Sequence, residues 1–260
     1  MLGCDHAAMS RHLWNLYAHC YDRIVGLLPY QEMLDEVVAA LAPSPGLRVL
    51  DAGCGTGALA DRLADKCPGI ELVAVDLSPS MLNLARSRRV WPASFKFVEG
   101  SIDDVLAGDE RGYDLIASVN VIWTLPDPQH TLTHMTSRLR DRGRMVHTTP
   151  SWRFRAPAIV WRHLCGHRGW SRVGALFGLP VLVLAGLLNL VLVVQSMLGA
   201  RAPRARKRWH ADGLAELLRA SGAPPRSVTS CYAGQNLLFV CEKEEQAGLA
   251  TRLPVPGEHL

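Results

Sequence analysis

The feature that most constrains this chain is a glycine-rich loop at residues 51–57, which reads Asp-Ala-Gly-Cys-Gly-Thr-Gly. It follows a short apolar run, Arg48–Ala52, and precedes an amphipathic stretch, Ala58–Lys66. Glycines are needed where a strand turns sharply into a helix and where backbone must approach a ligand at the helix N-terminus. The pattern therefore predicts a strand, a ligand-binding loop and a helix.

The segments after this loop alternate between strand and helix patterns. Apolar runs predict strands at 71–76, 95–99, 113–118, 144–148, 227–232 and 235–241, and amphipathic stretches predict helices at 79–88, 129–139 and 211–221, with a short turn at 103–106. Strands alternating with helices imply right-handed crossovers and a mostly parallel sheet. The last two strands form a hairpin through Ala233-Gly234. The predicted fold is an α/β, doubly wound, Rossmann-like sheet with an antiparallel C-terminal hairpin.

The predicted organisation has five parts. Two amphipathic helices, 13–28 ended by Pro29 and 31–41 ended by the Pro-rich turn at 43–46, precede the first strand. The parts are a helical cap at 1–46, a core at 47–150, an apolar and basic helical insertion at 151–210, a helix and hairpin at 211–243 that complete the core, and a loose tail at 244–260.

The composition excludes several classes of protein. The chain has 260 residues, 48% hydrophobic and 20% charged, which is not typical of a disordered, collagen-like or polytopic membrane protein. Its formal charge of +4 is too small to predict nucleic-acid binding. Seven scattered cysteines with no C-x-x-C pair predict a reducing compartment, and residues 1–10 lack a secretory signal pattern. We expect a cytoplasmic location, either in the cytosol or on the cytosolic face of a membrane.

The glycine loop alone fits two kinds of cofactor. Residues 53–58 satisfy the dinucleotide pattern G-x-G-x-x-G/A, and Asp76 at the end of the second strand would accept hydrogen bonds from a ribose under either scheme. Asp51 favours a cofactor that carries a cationic amino group over a dinucleotide. Its carboxylate, two residues before the first glycine, would repel a pyrophosphate and attract a cationic amino group.

Three motifs together resemble the class I S-adenosylmethionine-dependent methyltransferase family: Asp51-x-Gly53-x-Gly55-x-Gly57, Asp76-Leu77-Ser78-Pro79-Ser80-Met81-Leu82 and Asp114-Leu115-Ile116-Ala117-Ser118. The resemblance implies a seven-stranded sheet in the order 3-2-1-4-5-7-6 and S-adenosyl-L-methionine as the cofactor. In such a site Asp51 would face the methionine ammonium, Asp76 the ribose hydroxyls, and Leu77 and Met81 the adenine. The full set of cofactor-binding residues it implies is Asp51, Gly53, Cys54, Gly55, Asp76, Leu77, Met81, Ser101, Ile102 and Ser118.

The sequence departs from the family pattern at two places. Gly100 is followed by Ser101 where the family has an aspartate for the adenine amino group, so Ser101 or Asp103 would take that role. Trp123 and Thr124 stand where small-molecule and quinone methyltransferases often carry a histidine pair. An Asn/Asp-Pro-Pro-aromatic motif is also missing, which argues against methylation of nucleic-acid amino groups or of protein glutamine.

The candidates for chemistry lie at strand ends and on the first helix. His147 and Asn120 are expected at the exits of the fifth and fourth strands and Tyr21 on the helix that caps the pocket, while Tyr17, Tyr21 and Trp123 are candidates for substrate contact. Each has a structural alternative: a strand-end histidine, a turn residue or core packing. No metal site is predicted, because Gly166 and nearby arginines weaken His163-x-Cys165-x-His167, and because His130 and His134 are expected on the polar face of a helix.

Residues 173–200 form an apolar segment with no charged side chain. About nineteen of them would span roughly the thickness of a bilayer as a helix. A single membrane crossing would place strands of one sheet on opposite sides of the membrane. Three ways to bury the segment therefore remain: as a lid over an apolar substrate, in contact with a second subunit or partner protein, or in the plane of a membrane. Tryptophans and arginines on both flanks favour the membrane surface or a mixture.

These observations give a leading hypothesis and a rival. The leading one is a methyltransferase acting on a lipophilic small molecule, such as a quinone, polyketide, terpenoid or lipid, at or near a membrane surface. The rival is a non-catalytic, cofactor-binding subunit that docks another protein through the apolar helix.

Overall fold

The structure is a computed structural model that describes residues 2–151, 155–166 and 211–243, with side chains from residue 11 onward except that of residue 156. Seven strands form one sheet in the order β3-β2-β1-β4-β5-β7-β6, which confirms the predicted order. The strands are β1 Arg48–Ala52, β2 Glu71–Asp76, β3 Phe95–Glu99, β4 Tyr113–Val119, β5 Leu139–Pro150, β6 Pro225–Cys231 and β7 Asn236–Glu242. The first five are parallel, and β7 inserts antiparallel between β5 and β6.

Eight helices are described together with one 3₁₀ turn, Ile122–Thr124. They are α1 Leu2–Val25, α2 Leu28–Leu41, α3 Ala58–Lys66, α4 Pro79–Ser87, α5 Ile102–Gly108, α6 Pro128–Arg138, α7 Ala156–Gly166 and α8 Ala211–Ala220. The predicted end of the first helix at Pro29 is wrong. The first helix ends at Val25, and Pro29 lies in the first turn of α2, where a missing N–H costs nothing. The turn predicted at 103–106 is a full helix, α5, whose N-cap is Ser101.

Side chains alternate between the two faces of the sheet, and each face has its own apolar core. On the first face, Val49, Ala117 and Val146 pack with α2 and α3. On the second face, Ile116 and Met145 pack with α5, α6 and α8. This alternation decides which strand residues can share a site.

The predicted apolar insertion falls mostly outside the described residues. Within it, α7 packs on α2, where Arg162 forms an ion pair with Glu32 and the Leu28 amide donates to His163 Nδ1 over 3.1 Å. In the part of the chain that the structure describes, no helix is both long and apolar enough to cross a membrane. The segment 173–200 is not in that part.

Candidate functional site

The centre of the candidate site is Asp51, the next-to-last residue of β1, whose side chain lies on the first face of the sheet. Its side chain is 1% exposed, and its Oδ2 has no hydrogen-bond partner among the described residues. Burial, and next the charge of Asp76, raise the pKa of the Asp51 carboxyl to about 7. A buried carboxylate oxygen without a donor is costly, so this atom is a place where a donor from a ligand or from a water molecule would be accepted.

The glycine loop turns directly beside Asp51. The amides of Gly53 and Cys54 both donate to Val75 O, at 2.8 and 2.9 Å, which fastens the loop to the end of β2. Gly53 has φ 77, and a Cβ there would lie 2.9 Å from Val121 Cγ1. Gly55 has φ 53, and its Cβ would lie 3.2 Å from Tyr21 Cε1. Glycine is therefore required both by the backbone conformation and by the closeness of the neighbouring side chains.

Asp76 ends β2 next to the loop. Its Oδ2 accepts from the Gly55 amide at 2.8 Å and its Oδ1 from the Ser78 amide at 2.9 Å. Burial raises the pKa of the Asp76 carboxyl, and these backbone donors partly offset the rise. Each oxygen keeps a second lone pair, so the two amides hold the carboxylate in one orientation and leave it able to accept from a ligand.

Helix α1 covers this edge of the sheet. Tyr17 of α1 packs in one cluster with Met81 of α4 and with Trp123 of the 3₁₀ turn, so the structure brings together two proposed substrate residues and one proposed adenine residue. Asn15 Oδ1 accepts from Ser78 Oγ at 2.6 Å, which ties α1 to the N-cap of α4. The first helix is thus a cover over the loop between β2 and α4.

Tyr21 closes the space above Asp51. Its hydroxyl forms a 2.6 Å hydrogen bond with the hydroxyl of Tyr30, and burial raises the pKa of both phenols. The cavity that remains has room for about one water molecule. Its lining comprises Tyr21, Val25, Tyr30, Leu34, Asp51, Gly53, Cys54, Thr56, Ala58, Leu59 and Val119.

Asn120 follows β4 with φ 60, a left-handed conformation that asparagine tolerates better than most residues. Its amide nitrogen donates to Thr148 O at 3.0 Å. Its Oδ1 accepts from Asn236 Nδ2 at 2.7 Å and from Thr148 Oγ1 at 3.3 Å. The sequence analysis missed Thr148 and Asn236, because only the strand register shows that the ends of β5 and β7 meet at Asn120.

His147 and Ser118 are not brought to Asp51. They are register partners on β5 and β4, and His147 is also paired with Phe239, a member of the second-face core. Both side chains are fully buried, and neither the His147 ring nitrogens nor Ser118 Oγ has a partner among the described residues. Burial lowers the pKa of His147 to about 4, so the ring is neutral near neutral pH. Asp51 faces the other side of the sheet.

The predicted adenine residues lie at the same sheet edge as Asp76. The Gly100 amide donates to Asp76 O at 3.1 Å, which places Ser101 and Ile102 next to the end of β2. Ser101 Oγ caps α5 through the Asp104 amide, while Ile102 is buried in the second-face core. Asp103 points to α6 instead, where it accepts from Thr131 Oγ1 at 2.8 Å. The alternative that Asp103 takes the adenine amine is not supported by this geometry.

Part of the chain is similar in sequence to known methyltransferases. A family model for a methyltransferase domain matches residues 50–145, which contain Asp51, the glycine loop and Asp76. A malonyl-[acyl-carrier protein] O-methyltransferase of Paenibacillus sp. is 30% identical over 105 residues, covering 39% of this chain and 38% of that protein. A ubiquinone biosynthesis O-methyltransferase of Xanthomonas campestris is 29% identical over 115 residues, covering 44% of this chain and 47% of that protein. The match thus spans less than half the length of either curated relative.

The fold is also shared with solved structures. A magnesium protoporphyrin IX methyltransferase from Synechocystis, solved with bound S-adenosylhomocysteine, superimposes with a TM-score of 0.59 at 17% identity. The superposition covers 91% of this chain and 99% of that one. At this identity the likeness concerns the fold alone.

Proposed function

We propose that this protein is a class I S-adenosylmethionine-dependent enzyme that transfers the methyl group of S-adenosylmethionine to a small molecule, since residues 50–145 match a family model for a methyltransferase domain. The observation that carries the proposal is the unpaired, buried Oδ2 of Asp51 beside a glycine loop. A cationic amino group is the ligand that such an oxygen fits best, because it supplies both the missing donor and a compensating charge.

The other parts of the site fit the rest of this cofactor. We assign the backbone of Gly53, Cys54 and Gly55 to the amino-acid portion, and the oriented Asp76 carboxylate to the two ribose hydroxyls. Leu77 and Met81 are assigned to the adenine, with Ser101 and the backbone of Ile102 at its edge. S-adenosylmethionine supplies a methyl group on a sulfonium, which is activated towards nucleophiles.

The covered state of the site implies a movement before binding. A cavity for about one water cannot hold a nucleoside-sized ligand, which needs several hundred Å³. Tyr21 and the part of α1 around Tyr17 occupy the space over Gly55 and Met81. We therefore expect α1 or these side chains to shift when the cofactor enters, and to close again over it.

Methyl transfer is a direct displacement that depends mainly on alignment. The bond from sulfur to the methyl carbon breaks as the acceptor forms its bond to that carbon, and the acceptor's proton, if it has one, leaves to solvent or to a base. The Oδ1 atom of Asn120 accepts hydrogen bonds from Thr148 and Asn236. We therefore assign its Nδ2 group to a hydrogen bond with the substrate that receives the methyl group. Tyr21 and Trp123 remain our candidates for substrate contact. No step is assigned to His147, because it lies on the opposite face.

For the acceptor we propose a lipophilic small molecule, such as a quinone, polyketide, terpenoid or lipid. The support is the uncharged segment 173–200, which joins α7 to α8 in the sequence, and the tryptophans and arginines on its flanks. An O-methyltransferase of ubiquinone biosynthesis among the relatives agrees with such an acceptor. We also propose that this segment contacts the cytosolic face of a membrane, a second copy of the chain or a partner protein.

The test is incubation of purified protein with isotope-labelled S-adenosylmethionine and a total lipid extract, followed by mass spectrometry of the labelled products. We expect label in an apolar compound, and much less label when Asp51→Asn replaces the wild type. Label only in a polar fraction would contradict the lipophilic acceptor. Cofactor binding without transfer, with transfer restored by an added partner protein, would favour the non-catalytic subunit instead.

A further inference from the structure

A second cluster of polar side chains lies on the second face, away from Asp51. His130 and His134 are one turn apart on α6, and Asp103 reaches them from the first turn of α5. One ligand atom from each of the three residues lies within 4.8 Å of the other two. We propose that these three side chains form a binding site for a divalent transition-metal ion of the zinc type.

The donor set matches that chemistry. Two imidazole nitrogens and one carboxylate oxygen suit zinc, copper and nickel, whereas magnesium and calcium prefer oxygen ligands. Histidines at i and i+4 present their rings on the same side of a helix, which is a common way to hold zinc. The three protein ligands leave a fourth position for water.

The distances need only a small adjustment to reach coordination geometry. Tetrahedral zinc with ligands at about 2.0–2.1 Å places its donor atoms about 3.3 Å apart. His134 Nδ1 is already 3.2 Å from Asp103 Oδ1, and His130 Nε2 is 3.8 Å from the same oxygen. The side chain of His130 is 68% exposed, so its ring can turn inward without disturbing the core. The other two ligands are partly buried and are held in place.

The carboxylate is oriented by a neighbour that is itself fixed. Thr131 Oγ1 donates to Asp103 Oδ2 at 2.8 Å, which leaves Oδ1 turned to the two imidazoles. Thr131 is 2% exposed. A donor that holds the outer oxygen of a ligating carboxylate is a usual feature of metal sites. This makes Thr131 a positioning residue for the site.

Metal bound here would join α5 to α6. The first residue of α5 is Ile102, and its N-cap is Ser101, the pair assigned above to the edge of the adenine. An ion bridging Asp103 to α6 would hold the start of α5 in place. The site does not depend on the proposed methyl transfer, since none of its three ligands is assigned to cofactor or acceptor.

The test is titration of the full chain, stripped of metal, with Zn²⁺ alone by calorimetry and with Co²⁺ alone by visible absorption. We expect one ion per chain at this site and a rise in melting temperature with Zn²⁺. The Co²⁺ spectrum should lack a sulfur charge-transfer band, because exposed Cys165 is not a ligand. His134→Ala and Asp103→Asn should each lower the affinity at least about tenfold, and Thr131→Val about tenfold. His19 is an exposed histidine on α1, and the control variant His19→Ala should leave the Zn²⁺ affinity unchanged.

Two results would overturn the proposal. One is a Zn²⁺ affinity that His134→Ala and Asp103→Asn leave unchanged. The other is a Co²⁺ spectrum dominated by sulfur ligation. Cofactor binding measured on the same variants separates this outcome from failure of the proposed function, because loss of the metal site leaves Asp51 and Asp76 intact.

Discussion

Two charged side chains are buried near opposite ends of β1, but only one of them has oppositely charged side chains beside it. Arg48 begins the strand and is 3% exposed. It forms ion pairs with Asp109 and Glu71, donates to Gly112 O at 2.8 Å, and lies over the ring of Tyr113 at 4.3 Å. Its backbone amide is also used, since it donates to an oxygen of Asp114 at 2.7 Å.

Asp51 is the next-to-last residue of the same strand, is 1% exposed, and keeps one oxygen without a donor in the described structure. Both groups carry the cost of desolvation, but only Arg48 has acidic side chains beside it that offset part of that cost. The difference separates a charge kept for stability from a charge kept for a ligand. Variants at the two ends should therefore change different properties.

The largest expected effect is on the free energy of unfolding, from a substitution at Arg48. Arg48→Met removes the cation that two acidic side chains share and leaves them near a buried site. We expect the free energy of unfolding to fall by about 4 kcal/mol, with cofactor affinity unchanged in the fraction that folds. Urea denaturation followed by circular dichroism measures the first quantity and calorimetry the second. A loss below about 1 kcal/mol would mean that the two ends of β1 do not differ in this way.

At the other end, Asp51→Asn keeps the shape and removes the charge. We expect the affinity for S-adenosylhomocysteine to fall about 100-fold, since a buried charge pair loses one partner. The free energy of unfolding should stay the same or rise, because the wild-type carboxylate has an unpaired oxygen. Calorimetry and urea denaturation of this variant give both numbers. Wild-type affinity in the variant would show that Asp51 does not hold the ammonium.

His147 extends the comparison to the second face. Its pKa is lowered to about 4 from an ordinary 6.5, so the unfolded chain binds more protons between these values. This contribution to stability is complete above pH 6.5 and is lost as the pH falls towards 4. Between pH 7 and pH 5 it should remove about 2 kcal/mol. We expect His147→Leu to show a smaller loss than wild type over this range in urea denaturation. Equal slopes for the two proteins would contradict the assignment of a buried, neutral ring.

The smallest expected effect is on the hydrogen bond that ties the covering helix α1 to α4. Asn15→Ala removes the acceptor for Ser78 Oγ and should lower the free energy of unfolding by about 1 kcal/mol. Leu16→Ala on the same helix is the control, because Leu16 is 61% exposed and should change stability little. Thermal denaturation compares the two. If both variants lose the same amount, the bond between α1 and α4 does not fasten the cover.

The sequence was sufficient for most of the fold. The strands β1, β2 and β3 have the predicted bounds, because each is a short apolar run between turn residues. The boundary between α1 and α2 was missed, since Pro29 ends a helix in one context and begins one in another. The strand β5 is longer than predicted, because its first residues are mostly polar and so lack the apolar run by which a strand is recognised in a sequence.

Only those parts of the site whose residues are close together in the sequence could be predicted from it. Asp51, the glycine loop and Asp76 are close in sequence and could be recognised together. The face to which His147 points depends on strand register, where a shift of one residue reverses every side chain. Asp103 and His134 meet only because α5 and α6 pack side by side, and no short motif joins them.

The most direct test of the account is the pH dependence of S-adenosylhomocysteine affinity in the wild type and in Asp51→Asn. Burial and Asp76 raise the pKa of Asp51 to about 7, and the bound ammonium would favour the ionised carboxylate. We predict that wild-type affinity for S-adenosylhomocysteine weakens as the pH falls below 7 and levels off above it, while the affinity of Asp51→Asn does not change with pH. The same pH profile for both proteins would contradict an ammonium held by Asp51.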